Sequence, residues 1–178
     1  MDVRDSRASI LLRLLAAIPL VGLIVAYLIR PATLAWAEVF LPVWVYALGT
    51  ALVLVSFPLL IWIHESLGAN FNTILGTRDR RFLATEGPYR WVRHPMYSVL
   101  FMYLLGVLLM TGNLLIGGFL LGGFLVTIGT RVAKEEAILE EAYGEAYRAY
   151  KQRTGRFWPR AAAQREPPAA NPGSSLTA

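Results

Sequence analysis

The sequence predicts an all-α integral-membrane bundle of about four transmembrane helices. It includes a short helical hairpin over 96–130 and a cytosolic amphipathic helix near the C-terminus. Three observations predict this. The 178 residues are 56% hydrophobic and 16% charged, against roughly 45–50% and about 25% in an ordinary globular domain. Mean hydropathy is +0.48. Two long stretches, Val39 to Ile63 and Pro95 to Thr130, contain no charged residue. There is no cysteine, which excludes a disulfide scaffold and a thiolate metal site.

A membrane-spanning helix needs about 20 mostly apolar residues. The first candidate is Ile10 to Ile29, with Arg13 near enough to its end to snorkel. Ala35-Trp36-Ala37 after it has the outline of a signal-peptide cleavage site, but Pro19, Arg30 and the distance to Ala37 argue against cleavage. The second span is Val39 to Ile63. The third apolar stretch is too long for one crossing, so it folds back at Thr111-Gly112-Asn113, its one polar run. The two arms, about 96–110 and 114–130, are short enough to suggest tilt or a thinned bilayer. The second arm carries Gly117, Gly118, Gly122, Gly123 and Gly129; Gly118 and Gly122 have the spacing of closely packed helices.

Four spans place the N-terminus, the 64–94 loop and the region after Arg131 on one face. That face holds all the Lys and Arg except Arg30, so both termini are expected in the cytoplasm. The basic balance is thereby explained by anionic lipid, without nucleic acid. The long 64–94 segment is expected to be functional. After Arg131, Val132, Leu139, Tyr143, Ala146 and Tyr150 recur at helical spacing. This helix extends the fourth span, with a kink at Gly144 and an end at Thr154-Gly155. Phe157-Trp158 reads as an interfacial aromatic pair. The domain is therefore 1–160, followed by a disordered tail over 161–178 rich in Ala, Pro, Ser and Gly.

Familiar catalytic signatures are missing. The chain has two histidines, His64 and His94, and no His-Glu-x-x-His, no G-x-G dinucleotide fingerprint, no phosphate loop and no Gly-x-Ser-x-Gly. No metal site is expected. Two clusters remain: Tyr89, Arg90, Arg93, His94 and Tyr97 around two prolines, and Arg131, Glu135 and Glu136 at the exit of the fourth helix. The hairpin returns to the face it left, so it brings these clusters together. Simpler roles compete. Arg90 and Arg93 suit membrane anchors, and Arg131 with Glu135 forms an ordinary i,i+4 pair. Neighbouring Glu135 and Glu136 point to different helix sides, so one of them is expected to face the shared pocket.

Gly87-Pro88-Tyr89-Arg90-x-Val92-Arg93-His94-Pro95-Met96-Tyr97 resembles the central motif of the isoprenylcysteine carboxyl methyltransferase family and its bacterial relatives. Arg131-x-x-x-Glu135-Glu136-x-x-Leu139, then Tyr143-Gly144-x-x-Tyr147-x-x-Tyr150 and Pro159, resembles its C-terminal motif. Leu67-Gly68 and Phe71 are similar as well, so the motif core covers about 60–160. Ser98 departs from the family, which often has glycine there.

The resemblance implies an integral-membrane methyltransferase of a bacterial plasma membrane, using S-adenosyl-L-methionine on the cytosolic side. A lipophilic or lipidated acceptor enters from the bilayer. Cofactor-binding candidates are Tyr89, Arg93, His94, Pro95, Tyr97 and Glu136. Arginine can fork onto a carboxylate, and an aromatic face suits a sulfonium cation. Arg131 is the candidate group for a carboxylate acceptor, and Glu135 the candidate base for an amine or thiol. The alternatives are an NADPH-dependent membrane reductase of the sterol-reductase type and a non-catalytic membrane protein.

Overall fold

The computed structural model describes residues 21–67 and 83–160. The N-terminal part of the first expected span, residues 68–82 of the 64–94 loop and the 161–178 tail lie outside the described residues. Residues 21–29 are helical (α1). Pro31–Ala37 then forms a 3-10 turn, which the sequence reading did not foresee.

Helix α2 runs from Val43 to Leu67, 25 residues. It starts four residues later than expected, because Pro42 lies just before it and suits a helix start. It also runs past Ile63, so His64 sits on the helix, its Nδ1 donating to Leu60 O (2.7 Å). Pro58 lies inside α2, as membrane helices tolerate. Trp44 and Trp62 are both exposed on it. Their 18-residue separation is about 27 Å, close to the roughly 30 Å of a hydrocarbon layer. Amphipathic tryptophans concentrate at the two membrane surfaces, so α2 carries a marker for each.

The hairpin forms as the polar break predicts. Its arms are α3, Pro95–Thr111, and α4, Leu114–Tyr143. Gly112 takes the left-handed conformation (φ 62°) that ends α3. The buried Asn113 caps α4: its Oδ1 accepts from the amides of Leu115 and Ile116, both at 3.1 Å. Its Nδ2 donates to Leu34 O (3.0 Å), and Val39 N donates to Gly112 O (2.8 Å). The turn is therefore fastened to the chain that precedes α2.

Helices α2 and α3 cross at glycines. A methyl group on Gly49 would come within 2.8 Å of Gly106 O, and one on Gly106 within 2.9 Å of Gly49 O. Gly117 is equally confined, by Leu108. Gly118, Gly122, Gly123 and Gly129 instead have no neighbour within 4 Å, so Gly118 and Gly122 do not serve the packing expected of them among the described residues. Two described helices, Val43–Leu67 and Leu114–Tyr143, are long and apolar enough to cross a membrane, and Pro95–Thr111 is shorter.

Helix α4 continues well beyond its apolar part. Gly144 (φ 51°) breaks it, and α5, Glu145–Arg153, follows at once. The bend resets the helical phase. The buried line is Val132, Glu136, Tyr147 and Tyr150, not the even stripe through Leu139 and Ala146.

Candidate active site at the hairpin mouth

The central motif is shaped before it reaches α3. Gly87 adopts φ 57° against Ser66, where an added Cβ would lie 2.9 Å from Ser66 Cβ, and Gly87–Arg90 makes a 3-10 turn. Residues 91–94 then run beside residues 155–156. Arg93 N donates to Gly155 O (2.8 Å), His94 N to Arg156 O (3.0 Å) and Gly155 N to Trp91 O (3.3 Å). Tyr150 donates to Tyr89 O (2.6 Å), and Ser98 Oγ to Phe157 O (2.7 Å). The segment after α5 is thus bound to the motif along its length, and Pro95 starts α3.

Glu136 is the buried centre, 4% exposed. Arg93 Nε and Nη2 lie 3.0 Å from its Oε1. Arg156 holds it from the other side, Nε donating to Oε1 (3.2 Å) and Nη2 to Oε2. Arg93 Nη1 also donates to Lys151 O (3.1 Å) and to Thr154 O. The donors of Arg93, a cofactor-binding candidate in the sequence, thus face Glu136 and two carbonyls.

His94 lies between the two glutamates. Its Nδ1 is 3.9 Å from Glu135 Oε2 and its Nε2 is 3.4 Å from Glu136 Oε1; the second contact is not aligned as a hydrogen bond, leaving Nε2 unpaired. Burial pushes the imidazole below its usual range, against the pull of Glu136 and Glu135 in the opposite sense. It is therefore neutral at pH 7. Two carboxylates 100° apart on a helix can both reach a ring placed between them, so both face the site, where the sequence reading allowed one.

Glu135 is the more open acid, its side chain 31% exposed. Tyr97 donates to its Oε1 (2.8 Å), and Arg131 Nε lies 3.6 Å from the same oxygen. Arg131, 44% exposed, is a guanidinium with donors to spare. The structure thus gathers Arg93, His94, Tyr97, Arg131, Glu135 and Glu136. Tyr89 is set apart: it is buried, its hydroxyl pushed up to about 12 by desolvation, and its carbonyl serves Tyr150.

Sequence reasoning missed Arg156, Thr154 and Phe157. Phe157 packs against His94, ring centroids 6.0 Å apart, while Trp158 alone of the expected aromatic pair is strongly exposed. A usable signal existed: a buried carboxylate calls for complete pairing, and Arg156 follows the helix end closely.

A family model for phospholipid methyltransferase matches residues 44–146. The chain belongs to the phospholipid methyltransferase family. Among curated relatives of this family member, protein-S-isoprenylcysteine O-methyltransferase of Schizosaccharomyces pombe is 31% identical over 88 residues, covering 48% of this chain and 37% of that protein. The Rattus norvegicus protein of the same name is 30% identical over 120 residues, covering 66% and 42%. The chain therefore spans about two fifths of these relatives' length. The solved structure of the eukaryotic intramembrane Ras methyltransferase, isoprenylcysteine carboxyl methyltransferase, shares the fold. Its TM-score is 0.61 at 23% identity, covering 88% of this chain and 54% of that one. The family member is an all-α integral membrane protein.

Proposed function

We propose that this phospholipid methyltransferase family member transfers a methyl group from S-adenosyl-L-methionine to a lipophilic or lipidated acceptor at the membrane surface. Its relatives are named as isoprenylcysteine O-methyltransferases. The observation that carries the reading is the placement of His94 between an open Glu135 and a fully paired Glu136, beside the partly free Arg131.

The residues present fit such a cofactor. His94 Nε2 and Tyr147 Oη are buried polar atoms without hydrogen-bond partners, both beside the charged cluster, and buried polar groups are seldom left unmatched. When bound, S-adenosyl-L-methionine supplies an electrophilic methyl group on a sulfonium. Glu135, Tyr97 and His94 are assigned to hold it, with Pro95 fixing the start of α3. Arg93, Glu136 and Tyr89 act by positioning, through Thr154, Arg156 and Tyr150. Arg131 binds a carboxylate acceptor, which needs no base; for an amine or thiol, Glu135 takes the proton. Alignment and exclusion of water are the main demands on the chain.

The proposal places the site at the cytoplasmic face of a bacterial plasma membrane, with both termini on that side. Titration calorimetry of the purified chain with S-adenosylhomocysteine, and in parallel with NADPH, tests the reading. Binding of S-adenosylhomocysteine, weakened in Glu135→Ala, is expected. Binding of NADPH instead would replace it with the reductase reading.

A further inference from the structure

Behind the motif lies an open cleft. It measures about 620 Å³ and is lined by Leu59, Trp62 and Ile63 of α2, by Trp91, and by Pro95 and Val99 of α3, among others. Its size falls within the range of ligand pockets. The lining is almost wholly apolar; one exception, Ser98, has its hydroxyl engaged by Phe157 O. At 100° per residue, Pro95 and Val99 lie about 200° around α3 from Tyr97. The cleft therefore opens on the opposite side of α3 from Glu135, and the residues that line it are not those of the carboxylate cluster.

The mouth has a defined chemistry. Trp62 and Trp91 stand with ring centroids 5.9 Å apart, at the level where α2 reaches its second interfacial tryptophan. The exposed Arg90 lies over the Trp91 ring, its guanidinium carbon 4.5 Å from the centroid. No carboxylate pairs with Arg90 among the described residues. An apolar cleft at the interface, with Trp62 and Trp91 in its lining and beside it an arginine that no carboxylate pairs among the described residues, matches an acyl chain topped by a phosphate. A second copy of the chain is a poorer occupant, because each carries a net charge of +5 and would bring further cations to the rim.

We propose that this cleft binds a bilayer phospholipid with an anionic headgroup, its chain along Leu59, Trp62 and Trp91 and its phosphate on Arg90. The occupant is not the methyl acceptor. It supports residues 88–95 from behind and so steadies the segment that carries Arg93 and His94. The site stands whether or not the proposed methyl transfer does, because its test reads lipid retention alone.

The full chain, purified in detergent, is delipidated and offered phosphatidylglycerol or phosphatidylcholine. Native mass spectrometry and melting temperature are read. Phosphatidylglycerol is expected to be retained at least fivefold better and to raise the melting temperature. Arg90→Gln, an exposed change, should abolish that preference while leaving the lipid-free melting temperature unchanged. Leu59→Trp, on the half-buried lining of the cleft, should reduce retention of both lipids. Equal retention of the two lipids by the parent chain overturns the proposal. So does an undiminished preference in Arg90→Gln, or a dimer that dissociates in Leu59→Trp.

Discussion

Tyr97 on α3 donates its hydroxyl to Glu135 Oε1 on α4 at 2.8 Å, joining the hairpin's arms 38 positions apart in sequence. A hydrogen bond to a charged group contributes about 1.5–3 kcal/mol. Within the proposed reaction, Tyr97→Phe should lower kcat/KM about 10-fold, roughly 1.4 kcal/mol of barrier, with little change in melting temperature. Methyl incorporation assays with purified variants check this; unchanged kcat/KM would remove Tyr97 from the site.

Arg93 and Arg156 grip the same carboxylate in different surroundings, with side chains 8% and 49% exposed. Removing one partner of a buried pair costs about 3–5 kcal/mol, whereas a pair with one exposed member contributes far less. Arg93→Ala should therefore unfold much more readily than Arg156→Ala in thermal melts. Equal losses would mean that Arg156 carries the pairing.

The glycines of α2 and α4 should divide sharply. Gly49→Ala forces backbone apart at the α2–α3 crossing and should cost about 1–3 kcal/mol. Gly122→Ala meets nothing and should be neutral or gain up to about 1 kcal/mol of helix propensity. Thermal unfolding in one detergent compares them. A costly Gly122→Ala would point to a neighbour against that face in solution.

His94 sets a pH dependence. Its folded-state value lies below the usual 6.5, chiefly through burial, so the unfolded chain binds the proton more readily. Its contribution to stability is complete above about 6.5 and is lost as pH falls through that value toward the folded one. Melting temperature should be flat from about pH 7 to 8 and fall on acidification, more gently in His94→Gln. An equal fall in both would assign the effect to the carboxylates.

The proposed topology is open to direct labelling, since the chain has no cysteine of its own. A cysteine at the exposed Glu86 should react from the cytoplasmic side and one at the exposed Thr33 from the opposite side. Reaction of both from one side would remove the crossing by α2.

The hairpin was legible because its turn is written in local chemistry: a left-handed glycine and a capping asparagine break an otherwise uncharged run. The meeting of His94 with the glutamates followed from that turn. The partition of roles did not. Nothing local to Arg93 announces that its donors go to Glu136 and the carbonyls of Lys151 and Thr154. These contacts span 43 to 61 positions and depend on how α4 and α5 bring Glu136, Lys151 and Thr154 back to Arg93. The Gly144 bend was expected, but its phase shift was not, because helical periodicity carries no record of a break's angle. The 3-10 turn at Pro31–Ala37 was hidden for a related reason, its fixing contacts coming from the distant Asn113 and Gly112.

The fastening of Asn113 to Leu34 has a reach beyond the turn. From Leu114 to Glu135, α4 rises about 32 Å, so the carboxylate's height and heading are dictated from the far surface of the bilayer. One residue added within α4 between Leu114 and Thr130 would slide Glu135 by about 1.5 Å and swing it by 100°, out of Tyr97's grasp, though every residue of the site kept its identity. The hairpin behaves as a gauge rod, zeroed at one surface of the membrane and read at the other.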